Sequence, residues 1–208
     1  MLNTIISKMK KLNLESQHEQ YIELIDTCGD SEDKHLIFRI ISSAPGPLNI
    51  KLSLIFSLVS KLKKKYDHKL VQDSLEFFNK NQSSFTLEDY EWIVKIIFMI
   101  IENIRDKKKN DEIKLKIMET LQKCSQEIDI KPYLFNFMLN DNSWEIVYAL
   151  LVFMPNLCDS FVREALLQTN LNILKNVSHI LSTLSSHHKS LFFNYKHFDS
   201  FLDSDIHF

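Results

Sequence analysis

Thr86 to Arg105 reads TLEDYEWIVKIIFMIIENIR, and this one stretch decides the fold class. Trp92, Ile93, Ile96, Ile97, Ile100, Ile101 and Ile104 recur at three- and four-residue steps, the spacing that stacks side chains along a helix. Phe98 carries the apolar surface further round the circumference. A helix apolar on nearly every side belongs at the centre of a larger helical assembly, covered by neighbours on more than one face. Thr86 and Asp89 stand where a helix cap is expected before it.

The same period continues in both directions. It predicts helices at residues 2–12, from just after Ser16 to Cys28 with a capping box from Ser16 to Glu19, and at 31–43 and 48–66. A restart at Asp67 runs to Phe78, a polar loop follows over 79–85, and the pattern resumes at 111–127, 130–140, 143–154, 159–168, 170–185 and 187–202. Pro45, Gly46 and Pro47 forbid continuation between the third and fourth helices. Nothing alternates with a period of two over a useful length, so the class is all-α. The presence of only 2 glycines, Gly29 and Gly46, agrees, because tight β-turns and phosphate-cradling loops need residues that accept positive φ. With 45% hydrophobic and 25% charged residues, disorder is excluded, and 208 residues suit a single all-helical domain over 1–208.

A net charge of −2 gives no global field for nucleic acid or membrane surfaces, so such contacts must come from local patches. Cys28, Cys124 and Cys158 are odd in number, far apart and never in Cys-x-x-Cys spacing; they read as buried thiols in a reducing compartment. The N-terminal residues lack the apolar run of a signal peptide, and the stretches 96–101 and 146–154 are far too short to cross a bilayer. A cytoplasmic protein without membrane contact is expected.

The segment Ile130 to Leu157 carries a more specific pattern: Pro132, Tyr133, Leu134 and Phe137, then Leu139, Asn140 and Asp141, then Trp144, Ile146, Val147 and Ala149. It resembles a HEAT repeat, in which an Asp caps the inter-helix turn and a small residue lets two helices approach. Val147 departs from the family, which usually has Arg or Lys there. Aliphatic-plus-basic openings recur at Ile50–Lys51, Ile113–Lys114 and Val162–Arg163, at uneven steps. The resemblance implies HEAT-like antiparallel helical hairpins forming a short α-solenoid; an irregular helical bundle is the alternative.

Catalytic patterns are missing: no Gly-x-Ser-x-Gly, Walker loop or His-Glu-x-x-His occurs. His187 and His188 are neighbours and point about 100° apart on a helix, so they cannot share a metal unaided. No enzyme activity, cofactor, metal or small-molecule substrate is expected. Two basic clusters stand out, Lys61, Lys64 and Lys65 with His68, which share a stripe if the helix continues through Asp67, and Arg105, Lys108 and Lys109. They either complement helix C-termini or align into a phosphate-contacting strip. The C-terminal region 187–208 is expected to form a capping helix and tail. Its aromatics either close the fold or anchor a partner, with Phe201, His207 and Phe208 as partner-contacting residues.

As a whole, an all-helical chain of this size, with lysine outnumbering arginine 22 to 3 as AT-rich coding favours, resembles the dormancy factors that microsporidia place on idle ribosomes. The interferon-related developmental regulators, helical-repeat proteins that silence ribosomes, offer a second likeness. These resemblances imply a non-enzymatic hibernation factor occupying a functional site of an inactive ribosome and contacting rRNA and ribosomal proteins. A protein-binding scaffold or adaptor subunit is the alternative.

Overall fold

Between Pro45 and Pro47, Gly46 adopts φ 145°, a value that a Cβ would obstruct, and the chain reverses there. The computed structural model describes residues 14–28, 31–61, 67–104, 111–140 and 143–187, and every regular element among them is helical. In chain order these are α1 (His18–Thr27), α2 (Ser31–Ser43), α3 (Leu48–Ser60), α4 (His68–Asn81), α5 (Leu87–Ile104), α6 (Asp111–Glu127), α7 (Lys131–Phe137), α8 (Trp144–Phe153), α9 (Pro155–Ala165) and α10 (Leu171–His187). Short 3-10 turns occupy Glu15–Gln17 and Gln82–Ser84. The described residues group into two compact units, one ending at Tyr133 and the other beginning at Leu134.

Local chemistry explains most boundaries. Asp67, with extended φ −121° and ψ 100°, accepts a hydrogen bond from the Leu70 amide at 3.0 Å and so starts α4 afresh. The helix therefore does not run through Asp67, and the stripe expected to join Lys61, Lys64 and Lys65 to His68 is broken there. Thr86 and Asp89 form a reciprocal cap on α5: the Thr86 amide and hydroxyl both donate to Asp89 Oδ2 at 2.8 Å, and the Asp89 amide donates back to Thr86 Oγ1 at 3.3 Å. Three expectations need correction. The Ser16 box does not open α1, which begins at His18 with Gln17 at its cap and no side-chain cap bond. The expected loop 79–85 is largely wound, since α4 continues to Asn81 and a 3-10 turn follows. The helix expected at 159–168 starts at Pro155, because proline is welcome at the first helical position, where its missing N–H needs no partner.

In the first unit, helices pair with neighbours two places along the chain as well as adjacent ones. α1 packs on α3 and α3 on α5; separately α2 packs on α4 and α4 on α6; α3 also touches α2 and α4, and α5 touches α6. The side-chain contacts give the direction of these pairs. His18 and Asp26 of α1 meet Ser53 of α3 and Lys61 just beyond it, so the two helices run parallel. His35 and Phe38 of α2 meet Asp73 and Phe77 of α4, and Lys123 of α6 meets Asn79 of α4, again in parallel order with Lys116 beside Glu76. The hydrogen bonds across these pairs join residues 35, 32 and 44 apart.

The densest packing lies between α3 and α5. Leu52, Leu54, Ile55, Leu58 and Val59 of α3 are fully buried, as are Val94, Ile96, Ile97 and Ile100 of α5. At about 1.5–3 kcal/mol per buried aliphatic side chain, this seam dominates the unit's cohesion. As the sequence expects, α5 is covered by two neighbours, α3 and α6; α3 in turn touches α1, α2, α4 and α5.

In the second unit α8, α9 and α10 pack mutually. Phe135 of α7 stacks on Phe161 of α9 with centroids 5.0 Å apart. Asn176 of α10, 3% exposed, donates to the carbonyls of Met138 at 2.8 Å and Asn140 at 3.4 Å, tying the end of α7 to α10. One turn earlier, Asn172 donates to the Leu139 carbonyl at 3.2 Å. These carbonyls lie just past the last residue of α7, where the helical ladder ends, and the asparagines donate to them.

Candidate interaction surface

Lys61 is the one member of the expected phosphate-contacting strip within the described residues. It follows α3 and pairs with Asp26 of α1, its side chain 38% exposed. Lys64, Lys65, Arg105, Lys108 and Lys109 lie outside the described residues, as do Phe201, His207 and Phe208 and the C-terminal cap expected after His187.

What the first unit does bring together is the open face of the layer formed by α1, α3 and α5. Phe56 of α3 meets Trp92 of α5 edge to face, centroids 5.6 Å apart, and both rings are only partly buried. The Lys95 ammonium lies 5.0 Å from the Trp92 ring centroid, drawn by the negative ring face, and 3.9 Å from Glu91. At one edge His18 Nε2 meets Ser53 Oγ at 3.2 Å; that hydroxyl already donates to the Ile50 carbonyl at 2.8 Å, so the imidazole is the donor. At the other edge, burial and then the Glu91 charge push the Tyr133 phenol pKa up. The periodicity of α5 assigns Trp92 to the core with its isoleucines. The signal that could have set it apart was the run Glu88, Glu91, Lys95 and Glu102 flanking it on one helical face.

On the other layer, His35 of α2 stands between two carboxylates of the α4 region: Nε2 is 3.1 Å from Asp67 Oδ1 and Nδ1 is 3.5 Å from Asp73 Oδ2. Asp67 thus serves both as the cap of α4 and as the imidazole's partner. The arrangement ties α2 to the start of α4. Among the described residues no three His, Cys, Asp or Glu side chains gather as a metal-binding group.

The cysteines are free. Cys124 and Cys158 are buried as the sequence suggests; burial pushes the Cys124 thiol up to about 12, and burial with the Asp159 charge raises Cys158, so both stay protonated at neutral pH. Cys28 is half-buried. In the second unit Trp144 stacks on the exposed His179, centroids 5.5 Å apart. No described helix is long and apolar enough to cross a membrane.

This architecture defines an all-α protein whose helices pair two places along the chain. No known family model matches the sequence, and neither a curated protein nor a solved structure matches it.

Proposed function

We propose that this protein is a non-enzymatic helical-repeat interaction protein, a short α-solenoid that docks on a partner within a larger assembly. The observation that carries the reading is the parallel pairing of helices two places apart, with cross-helix hydrogen bonds at separations of 35, 32 and 44 residues. Repeats of helical hairpins stack with about this period, 34 residues in tetratricopeptide and about 40–47 in HEAT and armadillo proteins. Such stacks expose long continuous surfaces suited to binding rather than turnover.

The ribosome is the first partner to test, since the likeness to dormancy factors points there and the two basic clusters of the sequence offer phosphate contacts. Native lysate fractionated on a sucrose gradient supports the reading when the chain travels with a heavy complex, and refutes it when the chain stays at the position of the free protein. Salt then separates the partner classes. Contact through about six phosphates weakens with a log–log slope near −4 to −5, whereas an apolar protein contact barely responds. The reading as a protein-binding scaffold has its own support: the open face of α1, α3 and α5 bears exposed carboxylates, which phosphate would not approach.

A further inference from the structure

We infer that the open face of α1, α3 and α5 is a docking surface for a basic polypeptide segment, one that sets a lysine or arginine beside the Phe56–Trp92 pair. The inference rests on the interaction-protein reading and names the partner chemistry for this face.

Three properties of the face converge. The first is its anchor. Phe56 and Trp92 are rings held edge to face by two packed helices and left partly open, the arrangement that carries binding energy when a partner covers it. The Trp92 face already attracts one cation, the Lys95 ammonium at 5.0 Å, so its environment favours positive charge.

The second is charge. On α1 the exposed acids are Glu19, Glu23 and Asp26, and on α5 they include Glu88 and Glu91. Asp26 is offset by Lys61 and Glu91 by Lys95, but Glu19, Glu23 and Glu88 have no cationic partner among the described residues. The one lysine of α3, Lys51, is turned away, its ammonium donating to the Ser42 carbonyl of α2 at 3.3 Å. The opposite layer differs: the exposed Lys69 and Lys80 of α4 and Lys114 of α6 stand among its acids, and Lys116 pairs with Glu112 at 2.9 Å, interleaving the signs.

The third is hydrogen-bond polarity. Between the acidic edges, α3 presents serines whose protons are already spent inward: Ser53 donates to Ile50 O at 2.8 Å, Ser57 to Ser53 O at 3.1 Å and Ser60 to Ser57 O at 2.6 Å. Their remaining lone pairs can only accept. Carboxylates, hydroxyl lone pairs and ring faces together call for a donor-rich cation, which guanidinium and ammonium groups supply and phosphate does not.

The test uses the full chain and a fluorescein-labelled peptide of six Arg-Ala repeats, followed by anisotropy, with a Glu-Ala peptide of equal length and a uridine 12-mer as controls. The expected result is binding of the Arg-Ala peptide alone. The Glu88→Lys/Glu91→Lys double variant, altered at exposed positions, should weaken it at least tenfold, and Trp92→Phe should weaken it less. The same reversal on the opposite layer, Glu76→Lys/Glu119→Lys, should change it less than threefold. Equal loss from the two reversals would reduce the effect to overall charge and overturn the inference, as would binding of the uridine 12-mer at this face. Because co-sedimentation in lysate is measured separately, a chain that still travels with its heavy complex after Glu88→Lys/Glu91→Lys leaves the interaction reading standing and removes this face from it.

Discussion

Replacing Asn176 by alanine should destabilise the second unit by about 2 kcal/mol, and the structure says where that loss arises. The amide makes two bonds, to the carbonyls of Met138 and Asn140, from a position 3% exposed. The Asn140 carbonyl keeps a second donor, the Ser143 hydroxyl at 3.0 Å, so the loss falls on Met138, whose side chain is fully buried. A buried carbonyl left without a donor costs about 1–3 kcal/mol, and a lost neutral hydrogen bond about 1. Alanine returns about 0.5 kcal/mol through its better helix propensity. Asn172→Ala is the matched control: its bond to the Leu139 carbonyl is exposed, water can replace it, and the cost should stay below about 1 kcal/mol. Urea titration in a Trp92→Phe background makes Trp144 the only tryptophan emitter, and its stacking on His179, three residues along α10 from Asn176, makes it report on this unit. A midpoint for Asn176→Ala equal to that of Asn172→Ala would refute the reasoning, because it would mean the α7 carbonyls are hydrated without the asparagine.

Asp67→Ala removes both the cap of α4 and the partner of His35 Nε2, so it should cost more than a cap alone, about 2 kcal/mol, in thermal melts followed by circular dichroism; a change under about 0.5 would contradict the double role. The Cys124 thiol is raised to about 12 in the folded state against about 8.5 unfolded, so the unfolded chain loses its proton first as pH rises. Stability should fall between about pH 9 and 12 by up to about 1.4 kcal/mol per pH unit, and Cys124→Ala should flatten that slope relative to the parent. Iodoacetamide at pH 8 should modify Cys28 well before Cys124 or Cys158, read by mass spectrometry of the intact and digested chain. Lys61→Ala should lower the unfolding free energy from urea titration by less than about 1 kcal/mol, since its pairing with Asp26 is solvent-exposed.

The helical period carries the fold class, and strong punctuation carries the boundaries. Ser31–Ser43 and Asp111–Glu127 are legible to the residue, and α3 starts at Leu48, where Pro45, Gly46 and Pro47 require a new start. Pro155 misleads because proline both ends helices and begins them, and the pattern that follows it is too short to say which. The Ser16 and Glu19 spacing is a sound cap signal overridden by the turn at Glu15–Gln17. The candidate surface is less legible. Trp92 shares its spacing with buried isoleucines, and only the packing of α5 against α3 shows that the ring stays partly open beside Phe56. The polarity of α3 rests on Ser53, Ser57 and Ser60 at helical steps, a readable stripe whose meaning depends on knowing that their protons turn inward.

The parallel seating of helices two places apart also bears on how the chain acquires its structure during synthesis. His18 finds Ser53 after 35 further residues, and Asn79 finds Lys123 after 44. At about 5–20 residues per second, each helix waits only about 2–9 seconds for its lateral neighbour to emerge. Local closure of this kind gives low contact order and rapid folding. The first unit can thus assemble helix by helix in the order of translation, each new turn laid against a surface already formed, with apolar seams such as that of α3 exposed only for the interval before the next helix arrives.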